Sequence, residues 1–190
     1  MKVDVRGCDQ LRRKRNLMLA AVATLSASLV SCGAANDGES GGSESLSISS
    51  KPTRAVLSVI ATAEGTGSSY NFIFSYRKFS SYADHPRQVV CSSGYCSDAA
   101  GRYQFLSTSW DETRRGMGIR DFTPDSQDKG AVQRMEAFRG VREHSSVLSR
   151  PAFERMIFKL NREWASLPGS PYGQPTKSMS SLWSIYQAEI

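Results

Sequence analysis

Apolar residues are unevenly placed along the chain. Leu17 to Val30 form a run without a charge, residues 33–50 are almost free of large apolar side chains, and from Lys51 onward apolar positions return at regular intervals. Val56, Val59, Ile60 and Ala63 recur at helical spacing, which predicts a helix opening at Pro52 or Thr53. Gly65 supplies a left-handed stop directly after Glu64. Tyr70 to Tyr82 is aromatic and β-branched with imperfect alternation, the pattern of a short hairpin or irregular strands. A helix is predicted over Arg102 to Arg115. Another opens at Thr123 as N-cap with Pro124 behind it, and carries Val132, Met135 and Phe138. A further helix opens at Ser149-Arg150-Pro151, aligns Phe153, Ile157, Leu160 and Trp164, and stops at Pro168-Gly169; the last spans Ser178 to Glu189. The expected class is α+β, with a single domain over residues 51–190 and Trp110, Trp164 and Trp183 on its apolar helix faces.

Composition narrows the choice little. The chain has 190 residues, 39% of them hydrophobic, and carries 24 Lys and Arg against 18 Asp and Glu, a net charge of +6. No short period recurs and cysteine is sparse, which excludes a collagen-like repeat and a disulfide-dense miniprotein. The modest positive charge suits an anionic polymer or surface, but no nucleic-acid motif accompanies it, so no nucleic-acid partner is expected.

The amino terminus reads as an address. The apolar run follows Arg12-Arg13-Lys14-Arg15 and ends at Ser31-Cys32-Gly33. It is shorter than the roughly 20 residues of a spanning helix, so residues 1–31 are expected to be a secretory signal. Leu29-Val30-Ser31-Cys32 resembles the bacterial lipobox, which makes Cys32 the expected lipidation site; an ordinary signal cleaved near Cys32 is the alternative. Residues 32–50 would then be a lipidated cysteine and a Gly/Ser/acidic tether. The expected location is a membrane-anchored lipoprotein facing periplasm or wall. Gly33, where Asp would retain the protein at the inner membrane, favours the outer membrane of a Gram-negative cell.

In an exported chain, Cys91 and Cys96, separated by Ser92-Ser93-Gly94-Tyr95, are most simply a disulfide that stiffens a local loop. The spacing is not that of a C-x-x-C redox site, and the small number of histidines and cysteines with no H-E-x-x-H gives no zinc site; no metal or cofactor is expected.

Glu64 is the first candidate for chemistry. A carboxyl at a helix end, flanked by an apolar stripe and followed by glycine, can be desolvated on one side and open to a ligand on the other, which favours its neutral form and suits a general acid. Those features also fit an ordinary helix-terminal glutamate.

Five ordered blocks decide between the two: Ala63-Glu64-Gly65-Thr66, Tyr82-Ala83-Asp84-His85-Pro86-Arg87, Ala100-Gly101-Arg102-Tyr103-Gln104, Asp121-Phe122-Thr123-Pro124-Asp125-Ser126-Gln127-Asp128, and Trp164-Ala165-Ser166-Leu167-Pro168-Gly169. In this order and spacing the chain from about Arg54 to Ile190 resembles the phage lambda endolysin family of lysozyme-like lytic transglycosylases. The resemblance implies a lysozyme-like fold, mainly helical with a small β-hairpin lobe and a glycan-binding cleft. It implies peptidoglycan strands as substrate and Glu64 as the acid/base, cutting the MurNAc-GlcNAc bond to leave a 1,6-anhydro end. Gly101, Arg102, Tyr103 and Gln104 would line the cleft, with Gln104 facing an N-acetyl group, Tyr103 stacking or donating, and Arg102 holding a carboxylate of the muramyl peptide. Packing in the interior is the alternative for Tyr103 and Gln104.

Asp84 is the next acid after Glu64. It would either orient a water, giving a hydrolytic muramidase on the same fold, or anchor the turn Ala83-Asp84-His85-Pro86. The stretch before it lacks the acid followed by Thr that typical phage hydrolases carry on their hairpin, which favours transglycosylation. His85 is expected to be structural. A wall-binding lipoprotein without activity is the third possibility.

Overall fold

The computed structural model describes residues 48–190 apart from residue 93. The expected signal, Cys32 and nearly all of the tether lie outside the described residues. The element order is helix, two small hairpins, then four helices.

Helix α1 (Lys51–Ala63) begins where Ser50 Oγ accepts the Thr53 amide at 3.2 Å, and Pro52 in its first turn needs no donor partner. One face, from Ala55 through Val56, Val59, Ile60 and Ala63, is buried. Glu64 closes the helix by donating its amide to Ile60 O at 3.0 Å, and Gly65 leaves it at φ +78°, as the pattern predicted.

Strands β1 (Phe72–Ile73) and β2 (Arg77–Lys78) form an antiparallel hairpin in the register Phe72 opposite Lys78. A second hairpin, β3 (Val90–Ser92) and β4 (Tyr95–Ser97), sets Cys91 directly opposite Cys96, and the two are joined by a disulfide with Cα atoms 4.0 Å apart. The sequence marked this loop by its Gly94 turn but not as a pair of strands, because three-residue strands leave too little alternation to read.

The helix expected over Arg102 to Arg115 starts later, as α2 (Ser107–Met117). Gly101 and Gln104 both take positive φ, +78° and +46°, and Ala100 and Phe105 exchange backbone hydrogen bonds of 2.9 and 2.8 Å across that turn. The chain is therefore a closed loop from Ala100 to Phe105 before it becomes helical. Helix α3 (Pro124–Gln133) begins as expected with Thr123 as its cap, then widens into a π turn over Arg134–Phe138. Helix α4 (Arg150–Leu160) ends eight residues before Pro168, so Trp164 sits in the following turn rather than on the helix. Asn161 makes that turn, donating its side-chain amide to Pro168 O at 2.9 Å. Helix α5 (Met179–Glu189), capped by Ser178, packs against α1.

The core joins the α1 face to Phe105, Trp110, Phe122, Met135 and Phe153, with Trp110 and Phe122 ring centroids 4.7 Å apart. Trp110 and Trp164 are buried, and Trp183 is half-buried against Tyr186. An ion-pair cluster is enclosed with them. Arg134 Nε meets Glu163 Oε1 at 2.9 Å, Arg139 meets Glu163 Oε2 at 2.8 Å, and Arg134 Nη1 meets Glu112 at 2.7 Å. Among the described residues, no helix is long and apolar enough to cross a membrane.

Candidate functional site

The geometry around Glu64 begins with the loop that follows it. Thr66, buried, donates its hydroxyl to Ala61 O at 3.0 Å and to Arg102 O at 2.5 Å, folding Glu64-Gly65-Thr66 back on the end of α1. The Glu64 carboxylate lies against the Trp164 to Gly169 turn, where the Ser166 amide faces Oε1 at 3.5 Å. Two segments about a hundred residues apart thus meet at this carboxyl.

Arg102 ties the Glu64 loop to the rest of the molecule. Its Nε donates to Gly67 O at 3.0 Å, and its Nη1 donates to the hydroxyls of Tyr70 at 2.9 Å and Tyr103 at 3.2 Å. The guanidinium also lies 5.1 Å from the Tyr70 ring centroid and 3.9 Å from Asp128. Asp128 is the centre of this group: Oδ1 accepts from Tyr103 at 2.6 Å and Oδ2 from Tyr70 at 3.1 Å. Burial holds the Asp128 carboxyl above the usual aspartate range, against the opposing pull of the two tyrosine hydroxyls and Arg102. Burial likewise pushes the Tyr103 and Tyr70 hydroxyls up, so both remain donors.

Gly101 is where this network meets the β lobe. Its amide donates to Phe72 O at 2.8 Å, and a Cβ there would lie 2.3 Å from Gln127 Oε1 and 2.8 Å from the Phe122 ring. Gln127, fully buried, uses Oε1 to accept the Arg102 amide at 2.8 Å and its amino group to donate to Tyr70 O and Phe122 O. Gln104 is half-buried and donates its side-chain amide to Gly101 O at 2.9 Å.

The predicted site residues therefore separate. Arg102 is bonded to the Glu64 loop through Thr66 and Gly67, and Gly101 and Gln104 belong to the same turn as Arg102. Tyr103 belongs to it but is 0% exposed, with its hydroxyl on Asp128 and its carbonyl accepting Trp164 Nε1 at 3.2 Å. The expected stacking of Tyr103 on a sugar is corrected to the alternative, packing in the interior, because the ring has no exposed surface to offer. Asp84 stands in a different cluster. Its Oδ1 accepts from the His85 amide at 2.8 Å and from Arg114 at 2.7 Å, and its Oδ2 from Arg87 at 3.2 Å. Burial acts upward on Asp84, but the His85 amide and the two arginines outweigh it and hold the carboxyl below its ordinary value. Arg87 also grips Asp111 with both terminal nitrogens, at 2.9 and 2.7 Å. His85, buried beneath this turn, takes the Arg87 amide on Nδ1 at 3.1 Å, which leaves Nε2 to donate to Phe105 O at 2.9 Å. Burial lowers its pKa, and the ring serves as a neutral strut. Among the described residues, no group of His, Cys, Asp and Glu is arranged to hold a metal ion.

The residues missed from the sequence are Tyr70, Gln127, Asp128 and Ser166. Three of them lie inside the five blocks, but their function as mutual partners depends on contacts between blocks, which one sequence does not display.

Comparison with known proteins agrees with this arrangement. Residues 54–190 match the family model described as Endolysin. The chain is 36% identical to the endolysin of Escherichia phage lambda over 138 residues, covering 68% of this chain and 85% of that protein. It is 31% identical to the endolysin of Escherichia phage P2 over 153 residues, covering 70% and 89%. Among solved structures it is similar to bacteriophage lambda lysozyme complexed with a chitohexasaccharide, with a TM-score of 0.66 and 32% identity over 73% of this chain and 94% of the other. A loop clamped beside a helix-terminal glutamate, two small hairpins and a helical body are thus the local form of a known architecture, and the chain belongs to the endolysin family.

Proposed function

We propose that this lysozyme-like, peptidoglycan-cleaving enzyme is a lytic transglycosylase with Glu64 as its acid/base. Glu64 in its protonated form gives its proton to the glycosidic oxygen as the C1–O bond between N-acetylmuramic acid and N-acetylglucosamine breaks. The C6 hydroxyl of the muramyl residue then attacks C1 and passes its proton back to the Glu64 carboxylate. A 1,6-anhydro ring forms and no water is consumed. The nucleophile is part of the substrate, so one carboxyl suffices and positioning supplies much of the rate.

The observation that carries this reading is the state of the other carboxylates. A hydrolase needs a second one near the acid. Asp84, the first acid after Glu64, has both oxygens committed to Arg87, Arg114 and the His85 amide, and Asp128 is held by Tyr70 and Tyr103. Gln104 and Arg102 are proposed to line the cleft beside Glu64, while Gly101 gives the backbone its close approach.

The test is mass spectrometry of the products released from purified peptidoglycan. Muropeptides lighter by one water, reduced at least about a hundredfold by Glu64→Gln, are expected. Reducing-end products would make the enzyme a hydrolase and return Asp84 to the mechanism; wall binding without release would leave a lectin.

The sequence before the described residues supports export with a lipid on Cys32 and a tether up to residue 50. In that form the domain over residues 51–190 would work on the wall close to a membrane, with the outer membrane favoured in a Gram-negative cell.

A further inference from the structure

The connection between β1 and β2, Phe74–Tyr76, is strained and exposed at once. Ser75 and Tyr76 take φ of +67° and +61°, a conformation that glycine adopts freely and that L side chains resist. Such strain persists where surrounding structure imposes it, and it concentrates at ligand sites. Tyr76 is 66% exposed, so its ring is open to a ligand.

The ring's position suggests a task. Its hydroxyl edge leans on Gly65, the residue directly after Glu64: a Cβ built on Gly65 would lie 2.6 Å from the Tyr76 hydroxyl and 3.3 Å from a ring carbon. Only a glycine admits the phenol this close. Two supports hold the tip in place. The Tyr76 ring meets Phe72 edge-on at 5.9 Å, and β3, stapled by the Cys91–Cys96 disulfide, packs against Phe74–Tyr76, while the Phe74 amide donates to Ala99 O at 2.9 Å. The hairpin therefore projects an aromatic ring to the edge of the acid loop and braces it there.

We propose that Tyr76 is a glycan-contacting residue that forms the hairpin-side wall of the sugar site at Glu64. Its exposed ring supplies an apolar face to a pyranose, and its hydroxyl supplies a polar atom to a ring substituent. Arg77 and Lys78, exposed directly after it, place positive charge on the same lip, suited to the carboxylates of a peptide-bearing strand. This inference rests on the proposed action on glycan.

The test uses Tyr76→Gly, which removes the ring while relieving the positive φ, so the variant is expected to melt at or above the wild-type temperature. Its KM on peptidoglycan should rise about tenfold, the value of one apolar contact of this size, with kcat changed far less. In the Glu64→Gln background, the Kd for chitohexaose should weaken by the same factor, and Tyr76→Phe should keep most of the affinity. A Tyr76→Gly enzyme whose KM stays within twofold of wild type, or falls, overturns the proposal while leaving the enzyme's function standing; a wild-type protein that neither cuts peptidoglycan nor binds it removes both.

Discussion

The buried Tyr103 hydroxyl on Asp128 and the exposed Tyr76 hydroxyl beside Gly65 call for opposite expectations. Tyr103 donates to a desolvated Asp128 from a fully buried position. Tyr103→Phe strips that donor from a half-buried carboxyl, and should lower stability by about 1 kcal/mol, seen as a lower urea midpoint. The affinity of the Glu64→Gln form for chitohexaose should stay within twofold of its parent when Phe replaces Tyr103. A loss of affinity at unchanged stability would put the hydroxyl in contact with glycan after all. The sequence left Tyr103 open between a cleft residue, as the family resemblance implied, and a residue packed in the interior at the start of a helix. What decides its position is Gly101, whose missing Cβ lets Gln127 and Phe122 close over the loop from another block. Local pattern does not record that kind of distant steric demand. The end of α1 at Glu64 was legible for the converse reason: a helical stripe, an acid and a glycine are neighbours in sequence, and the helix stops where they say.

At the scale of elements, the helices read well and the β lobe poorly. Thr123, Ser149 and Ser178 each mark a helix start by local chemistry, and the starts fall there. The ends of the later helices are set by distant partners instead. The widening at Arg134–Phe138 accompanies the burial of Arg134 against Glu163, and α4 stops where Asn161 reaches Pro168. The hairpins have strands of two or three residues, below the length at which alternation is informative. Their order comes from cross-links. Replacing Cys91 and Cys96 together by serine should cost about 2 kcal/mol, since the closed loop is short. Hydrogen exchange should speed up over residues 90–97 and the Phe74–Tyr76 tip while the α1 core stays protected. Uniform loss of protection would mean that the disulfide holds the whole domain together.

For the molecule as a whole, the proposed anchor sets where the fold can act. If Cys32 carries the lipid, the protein should fractionate with membranes and be released into the soluble fraction by Cys32→Ala, with unchanged specific activity on extracted peptidoglycan. Membrane association that survives this substitution would point to an uncleaved signal instead. Four of the five blocks meet in contacts around the Glu64 loop, through Thr66, Arg102, Gln127, Trp164 and Ser166, while the Tyr82 to Arg87 block builds a separate cluster around Asp84.

The seating of α1 gives such a tether a mechanical meaning. Its first turn is pinned three ways: Ser50 caps it, Thr53 pairs with the buried His144 at 3.1 Å, and Lys51 reaches Ile190 O at 2.5 Å. Glu64 stands at the other end of its 13 residues, about 20 Å away. A pull from a membrane enters at the pinned end and is shared with α5 and His144 before it reaches the acid. With the proposed lipid on Cys32, the enzyme would be drawn against its leash as a wall under turgor shifts around it, and the load would be taken at the pinned end of α1 rather than at Glu64.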